Sequence, residues 1–414
     1  MRSSTVRIVT ALMAVVALTA AGVVPAVAED RGSPAGGPAG RGEVVAVQPH
    51  RALRSAADVR AELAAAHFDT ESVRYGVDAY QLVYRTVDAG GRPTIASGLI
   101  ALPRNGIRTL RTVSYAHGTE LNRTDAPSHW RDGWSVAPVL TYASAGFAAV
   151  APDYLGLGLG PGLHPYLDVP SETTASLDLL RAARVFAASR DRRLDRDVLV
   201  TGFSQGATAA TGLAQLLQER GDDWFRLRAL APIAGAYDFR GVELPALLGG
   251  TVPPPYNVGY TAYLVVAWNR LHGLYSRPDE VFAAPYADKV EGLYDGLRTG
   301  EDLGKTLPMS MEELYTPGGL ELLRHPSGRF AAALAQHDAA GDGLRPGVPV
   351  RLLVSPADDQ VPRPNSDHYL ATLRASGVDS AIVDLDGRVV DDSGHEGANV
   401  AGTSYAVRWF LDLI

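Results

Sequence analysis

The segment that most restricts this chain is Gly202-Phe203-Ser204-Gln205-Gly206, set between the apolar run Asp197 to Thr201 and an Ala/Leu-rich stretch that continues to Glu219. The run has strand character and the stretch after it is helical. Glycines two residues to either side of a serine suit a sharp strand-to-helix turn: a Cβ at those positions would strike neighbouring backbone, and the turn lifts the hydroxyl above the sheet edge. In a chain with 43 glycines the five residues alone arise readily by chance; the strand before and the helix after give them weight. The N-terminus of that helix also favours negative charge developing beside the serine.

The rest of the chain follows the same rhythm. Ala79 to Thr86 and Ala96 to Leu102 read as paired strands around the turn residues Asp88 to Gly91. Further strands are expected at Arg111 to Ala116, Gly146 to Ala151, Leu227 to Ile233, Val350 to Ser355 and Ala381 to Leu385. Helices are expected at Glu172 to Arg190 and Ala398 to Leu413. Strands alternating with helices imply an α/β fold, a mostly parallel sheet with helices on both faces. Residues 239–345 break the rhythm, being rich in Tyr, Pro and Leu with helix-like pieces at Tyr260 to Leu271 and Pro278 to Thr299. They read as a cap, or lid, inserted between a first core part at 51–238 and a second at 346–414, with ordinary core helices as the alternative.

A nucleophilic serine needs a base, and the base needs an orienting carboxylate. In this kind of fold they follow in the order Ser, acid, His. The strand Val350 to Ser355 runs into Pro356-Ala357-Asp358-Asp359-Gln360-Val361, which offers two acids. Asp358, three residues before Val361, has the expected spacing; Asp359 is the alternative, otherwise a solvated or capping acid. The turn-rich loop Asp392 to Gly397 carries His395 directly ahead of the last helix, and His368 falls inside an expected surface helix. A tetrahedral intermediate needs two donors. The backbone N–H of Gln205, after the serine, is one, and the loop Tyr115-Ala116-His117-Gly118-Thr119 offers the other through Thr119, with Gly118 allowing an unusual backbone angle and His117 ordering the loop. Asp153 lies at the end of a strand, where ligands approach an open sheet, or else ties the turn of Gly156 and Gly158.

Several segments together, His117-Gly118-Thr119 with Asp125-Ala126-Pro127-Ser128, Ala151-Pro152-Asp153-Tyr154-Leu155-Gly156-Leu157-Gly158, His164-Pro165-Tyr166 and the Ser204 pentapeptide, resemble the α/β-hydrolase superfamily's secretory lipases of the lipase A type and their actinobacterial esterase relatives. The resemblance spans roughly residues 75–414. It implies the α/β-hydrolase fold with a helical lid, Ser204 as nucleophile, Asp358 as acid, His395 as base, and Thr119 and Gln205 as oxyanion donors. It departs from that pattern at Ser355-Pro356, where many relatives have His-Gly, and at Ala207, where they have a third glycine. Lid sequences vary widely among such proteins. Tyr260, Tyr263, Leu264 and Trp268, with Val265, are candidates for an acyl pocket or for the cap's own core.

The N-terminus has a short basic start at Arg2 and Arg7, an apolar run from Ile8 to Val24 and Ala26-Val27-Ala28. This is the pattern of a signal peptide over 1–28 cleaved before Glu29, which implies secretion; an uncleaved membrane anchor is the alternative. Residues 29–50 follow as a flexible leader, Gly/Pro-rich as far as Gly42. The chain has no cysteine, so neither a thiol nucleophile nor a disulfide is available and the core alone must stabilise it. A net charge of −8 argues against a nucleic-acid partner. No calcium-loop spacing and no phosphate-cradling loop is present, so no metal or other cofactor is expected. The expected activity is serine-dependent hydrolysis of carboxylic esters, small or lipid, with room for transient contact with a lipid interface. A serine exopeptidase on the same fold, or a non-catalytic binding protein, are the competing readings.

Overall fold

A computed structural model describes residues 40–131 and 133–413; the expected signal peptide and the start of the leader lie outside them. The strands are β1 (Val44–Leu53), β2 (Val77–Val87), β3 (Pro93–Pro103), β4 (Thr109–Ala116), β5 (Ala148–Pro152), β6 (Arg193–Phe203), β7 (Arg226–Ile233), β8 (Val350–Val354) and β9 (Ser380–Asp384). The helices are α1 (Ala56–Ala65), α2 (Ala137–Ala145), α3 (Val169–Ala188), α4 (Gln205–Gln218), α5 (Leu244–Leu248), α6 (Tyr256–His272), α7 (Gly300–Thr306), α8 (Met311–Leu314), α9 (Pro317–Arg324), α10 (Gly328–Asp338), α11 (Pro364–Ala375) and α12 (Gly394–Asp412).

All the strands join one sheet in the order β1-β2-β3-β5-β4-β6-β7-β8-β9. β1, β2, β3 and β5 pair antiparallel, and every pairing from β5 through β4 to β9 is parallel. Alternation along a strand explains the two-sided core. On β6, Val198 and Val200 pack with α3 and α4, while Leu199 and Phe203 pack with α1, α2 and α12. The chain moves from β4 outward to β5, then crosses back to place β6 on the other side of β4. This reversal opens a crevice between the C-terminal ends of β4 and β6, the place where open α/β sheets bind ligands.

The helical segment between β7 and β8 has its own apolar core, in which Leu264, Trp268, Phe282 and Phe330 are buried together with Tyr166 and Leu167. Among the described residues no helix is long and apolar enough to cross a membrane.

Two expectations need correction. Residues 44–50 of the stretch expected as a flexible leader belong to β1, which pairs with β2 at the sheet edge. Most β1 side chains stay exposed, so no apolar alternation marked the strand; the ladder to β2 supplies the hydrogen bonds instead, and an edge position tolerates Pro49. The piece expected as a helix from Pro278 to Thr299 holds only two short 3-10 turns, Pro278–Glu280 and Val290–Tyr294. Pro285 lies between them and removes the N–H that a continuous helix would use.

Candidate active site

Ser204 stands between the last residue of β6 and the first of α4, as the helix N-cap. Its backbone angles, φ 56° and ψ −121°, lie where a side chain normally does not go, at a cost of order 1–3 kcal/mol. The neighbours enforce this turn. A Cβ on Gly202 would stand 2.1 Å from the Gly206 carbonyl oxygen, and one on Gly206 would stand 2.0 Å from that of Ala116. Strand, turn and helix therefore fit together only with glycine at both places.

The loop after β8 and the N-terminus of α12 meet this serine. His395 Nδ1 lies 3.0 Å from each carboxylate oxygen of Asp358. A carboxylate only accepts, so Nδ1 carries the proton and Nε2 presents its lone pair to the Ser204 hydroxyl at 2.9 Å. Asp358 is itself held by the N–H groups of Gln360 and Val361, which donate to its Oδ1 at 3.0 and 2.9 Å. Asp359 does a different job: its Oδ1 accepts the backbone N–H of His395 at 2.9 Å and the Ser393 hydroxyl at 3.2 Å. One acid holds the ring and the next holds the backbone. Burial disfavours the charged imidazole of His395, yet the Asp358 carboxylate, with Glu396 and Glu243 behind it, outweighs burial and raises its pKa above the ordinary value.

Thr119, Ser204, Gln205 and His395 line one small cavity. Gln205 is the first residue of α4, a position whose N–H has no intrahelical partner. The Thr119 hydroxyl is 3.2 Å from that of Tyr166. Gly118 is not in the left-handed region; a Cβ there would stand 3.0 Å from the Phe203 ring, which would have to shift to admit it. His117 donates from Nδ1 to the Gly118 carbonyl at 2.7 Å and packs on Tyr154.

His117 and Asp153 form a second buried pair of the residue types that a triad uses. The His117 ring, however, faces the Asp153 backbone carbonyl, at 3.4 Å. The Asp153 carboxylate is taken up by the Ser97 hydroxyl at 2.6 Å and by the Ser128 N–H at 2.9 Å and hydroxyl. It ties β3, β5 and the Pro127–His129 turn together. His368 sits on α11, exposed, with Nδ1 2.7 Å from Asp238.

Of the four acyl-pocket candidates, Tyr260 and Tyr263 line an apolar cavity of about 210 Å³ with Leu121, Tyr256, Leu303 and Met309. Leu264 and Trp268 are not among its lining residues; they are buried in the helical segment's own core, where the Trp268 indole donates to the Tyr166 carbonyl at 2.9 Å. Each four-residue step along a helix rotates about 40°, which carries positions 264 and 268 progressively off the cavity-facing side.

A network behind the nucleophile was not anticipated. The Gln205 side-chain amide donates to His164 Nε2 at 2.9 Å and to Glu172 Oε1 at 2.7 Å, while His164 Nδ1 donates to the Leu155 carbonyl at 2.9 Å. Burial lowers the His164 pKa to about 3 and pushes Glu172 up to about 8. Glu243, in the turn Phe239–Glu243, is likewise pushed up to about 8 by burial and accepts from Asn365 at 2.8 Å. The only sequence signal for this network was the His164-Pro165-Tyr166 segment. Both glutamates hold a proton in the fold that the unfolded chain releases near its ordinary carboxyl pKa. Stability is therefore expected to fall as pH rises from about 4.5 to about 8, with a slope of up to about 1.4 kcal/mol per pH unit for each carboxyl. Denaturant unfolding at pH 5 and pH 8 checks this, and a Glu172→Gln/Glu243→Gln variant should show a clearly flatter dependence.

A family model described as the alpha/beta hydrolase family matches residues 115–406. Among solved structures, the rice cell wall degrading esterase LipA from Xanthomonas oryzae is similar at a TM-score of 0.80 and 26% identity, over 91% of this chain and 99% of that one. The closed state of Candida antarctica lipase A shares the fold at a TM-score of 0.63 and 16% identity, over 90% of this chain and 82% of that one. No curated protein gives a match.

Proposed function

Because this chain belongs to the α/β-hydrolase family, we propose that it is a secreted serine hydrolase of carboxylic esters, a lipase or esterase, with Ser204, His395 and Asp358 as its catalytic triad. The observation that carries the reading is the unbroken relay from Asp358 through His395 to the Ser204 hydroxyl, at 3.0 and 2.9 Å. The similarity to an esterase over nearly the whole of both chains supports the ester as substrate, and the N-terminal segment Arg2 to Ala28 supports secretion.

In this mechanism His395 Nε2 takes the Ser204 proton as Oγ attacks the ester carbonyl. Asp358 keeps the proton of Nδ1 in place and stabilises the imidazolium. The N–H groups of Gln205 and Thr119 receive the oxyanion. His395 then gives its proton to the leaving alcohol oxygen as the carbon–oxygen bond breaks. Water, deprotonated by the same imidazole, attacks the acyl-enzyme and frees the acid and Ser204.

The test is hydrolysis of p-nitrophenyl esters from acetate to palmitate beside labelling by a fluorophosphonate. Turnover with labelling at Ser204 is expected. Labelling without turnover of any ester, together with release of amine from aminoacyl amides, would transfer the protein to the peptidases. The pH dependence follows from the raised pKa of His395. The base must be neutral, so kcat/KM should fall tenfold per pH unit below a midpoint lying above about 6.5, the ordinary imidazole value. Full activity at pH 4 would remove His395 from the base role.

A further inference from the structure

The two residues that offer oxyanion donors, Gln205 and Thr119, are both gripped by one short segment. Resting on the ester-hydrolase reading above, we propose that His164-Pro165-Tyr166 is the strut of the oxyanion site: His164 holds Gln205, Tyr166 holds Thr119, and both are positioning residues for the reaction. The segment lies between β5 and α3 and exchanges no proton in the mechanism above.

The first observation concerns Gln205. Its N–H belongs to the peptide that follows Ser204, whose ψ of −121° sets the direction of that N–H and whose φ of 56° is unfavourable. Relaxing the strain would rotate this peptide and turn the donor away. The Gln205 side chain resists that rotation. Both of its amide hydrogens are taken, one by His164 Nε2 at 2.9 Å and the other by Glu172 Oε1 at 2.7 Å. His164 is fixed in turn. Its Nδ1 donates to the Leu155 carbonyl at 2.9 Å, so Nε2 offers only a lone pair. Its ring stacks on Tyr154, with centroids 5.9 Å apart and planes 12° from parallel. His164, Glu172 and Gln205 are all buried, where an amide that lost these acceptors would find no replacement in water.

The second concerns Thr119. Its hydroxyl lies 3.2 Å from that of Tyr166, and both residues line the cavity with Ser204, Gln205 and His395. Tyr166 is clamped by α6: its ring stacks on Tyr263 at 4.1 Å and 5°, and its carbonyl accepts the Trp268 indole N–H at 2.9 Å. The rings that pack on the segment also pin the loop around Thr119. The Tyr263 hydroxyl donates to the carbonyl of Glu120, the next residue, at 3.3 Å. The Tyr154 hydroxyl donates to the carbonyl of His117, two residues earlier, at 3.0 Å.

The third is the backbone directly after the segment. Leu167 has a φ of 58°, unfavourable for a residue with a bulky side chain. Such a conformation persists where the surrounding contacts over-determine it, and it clusters at functional sites.

The experiment measures kcat and KM for p-nitrophenyl butyrate, per site titrated to completion with a fluorophosphonate. Beside them it measures the Ki of an aliphatic trifluoromethyl ketone, which Ser204 would convert to a tetrahedral oxyanion adduct. Tyr166→Phe keeps the ring stack and the carbonyl and removes only the hydroxyl. His164→Asn keeps a donor for Leu155 but has nothing at the Nε2 position, whereas His164→Gln places an oxygen there. A misplaced oxyanion donor weakens the transition state and not the bound ester. Tyr166→Phe and His164→Asn are therefore each expected to lower kcat about tenfold and raise the ketone Ki about tenfold, with KM within roughly twofold of wild type. His164→Gln should recover at least about a third of the wild-type kcat. A segment that only stabilised the fold would reduce the number of titrated sites and leave kcat per site and the Ki unchanged. That result would overturn the inference, as would a loss confined to KM, and either leaves the hydrolase reading standing. If His164→Asn does not fold, Tyr166→Phe decides alone. A wild type that turns over no ester and takes up no fluorophosphonate at Ser204 would overturn the hydrolase reading and this inference with it.

Discussion

Ser204→Ala is expected to lower kcat on the best p-nitrophenyl ester by on the order of 10⁶-fold, since triad members act as a unit and removing the nucleophile costs about as much as removing all three. The fold should survive. Alanine keeps the Cβ, so the backbone strain at φ 56° is unchanged; what is lost is one hydroxyl and its 2.9 Å hydrogen bond to His395. Circular dichroism and thermal melting should match the wild type while the kinetic loss appears in kcat. A variant that is correctly folded and retains more than a tenth of the activity would end the assignment of Ser204 as nucleophile.

Asp358→Asn is the second large effect, a loss of about 10⁴-fold in kcat at neutral pH. The carboxylate obliges Nδ1 to carry the proton. An amide in its place can offer a donor to Nδ1, moving the imidazole proton to Nε2, where it faces the Ser204 hydroxyl and cannot accept from it. Asp359→Asn is the control. Its Oδ1 accepts from the His395 N–H and from Ser393, and an asparagine oxygen can still do both, so a loss of less than tenfold is expected. If the two variants exchanged their effects, the orienting role would pass to Asp359.

The residues of the candidate site differ in how far they could be read from the chain. Ser204 and its flanking glycines were legible because the constraint is local: five residues decide whether the strand can turn into the helix. His395 was legible by order and by its turn-rich loop. The separate tasks of Asp358 and Asp359 were not, because adjacent residues on a loop point to different partners and the partners come from α12, more than thirty residues away. Glu172 and Glu243 were missed for a related reason. Nothing local marks an acid in a helix or turn as buried, and both are sealed only when Gln205 and Asn365 close over them. Along α6 the aromatic run was visible but its facing was not, since a helix covered on several sides has no polar stripe to show which residues meet the cavity.

The sequence by itself determined the strand-helix alternation, the sharp turn at Ser204 and the chain order of serine, acid and histidine. These follow from periodicity, from the absence of a Cβ at Gly202 and Gly206, and from turn residues placed after strands. Tertiary structure alone decided that residues 44–53 complete the sheet edge, that the β4–β6 crevice brings Thr119 beside Ser204, and that Asp358 and Asp359 reach different atoms of His395. In each of these the outcome depends on surfaces contributed by segments far apart in the chain, and hydrogen bonds and burial become available to a residue only once those surfaces meet.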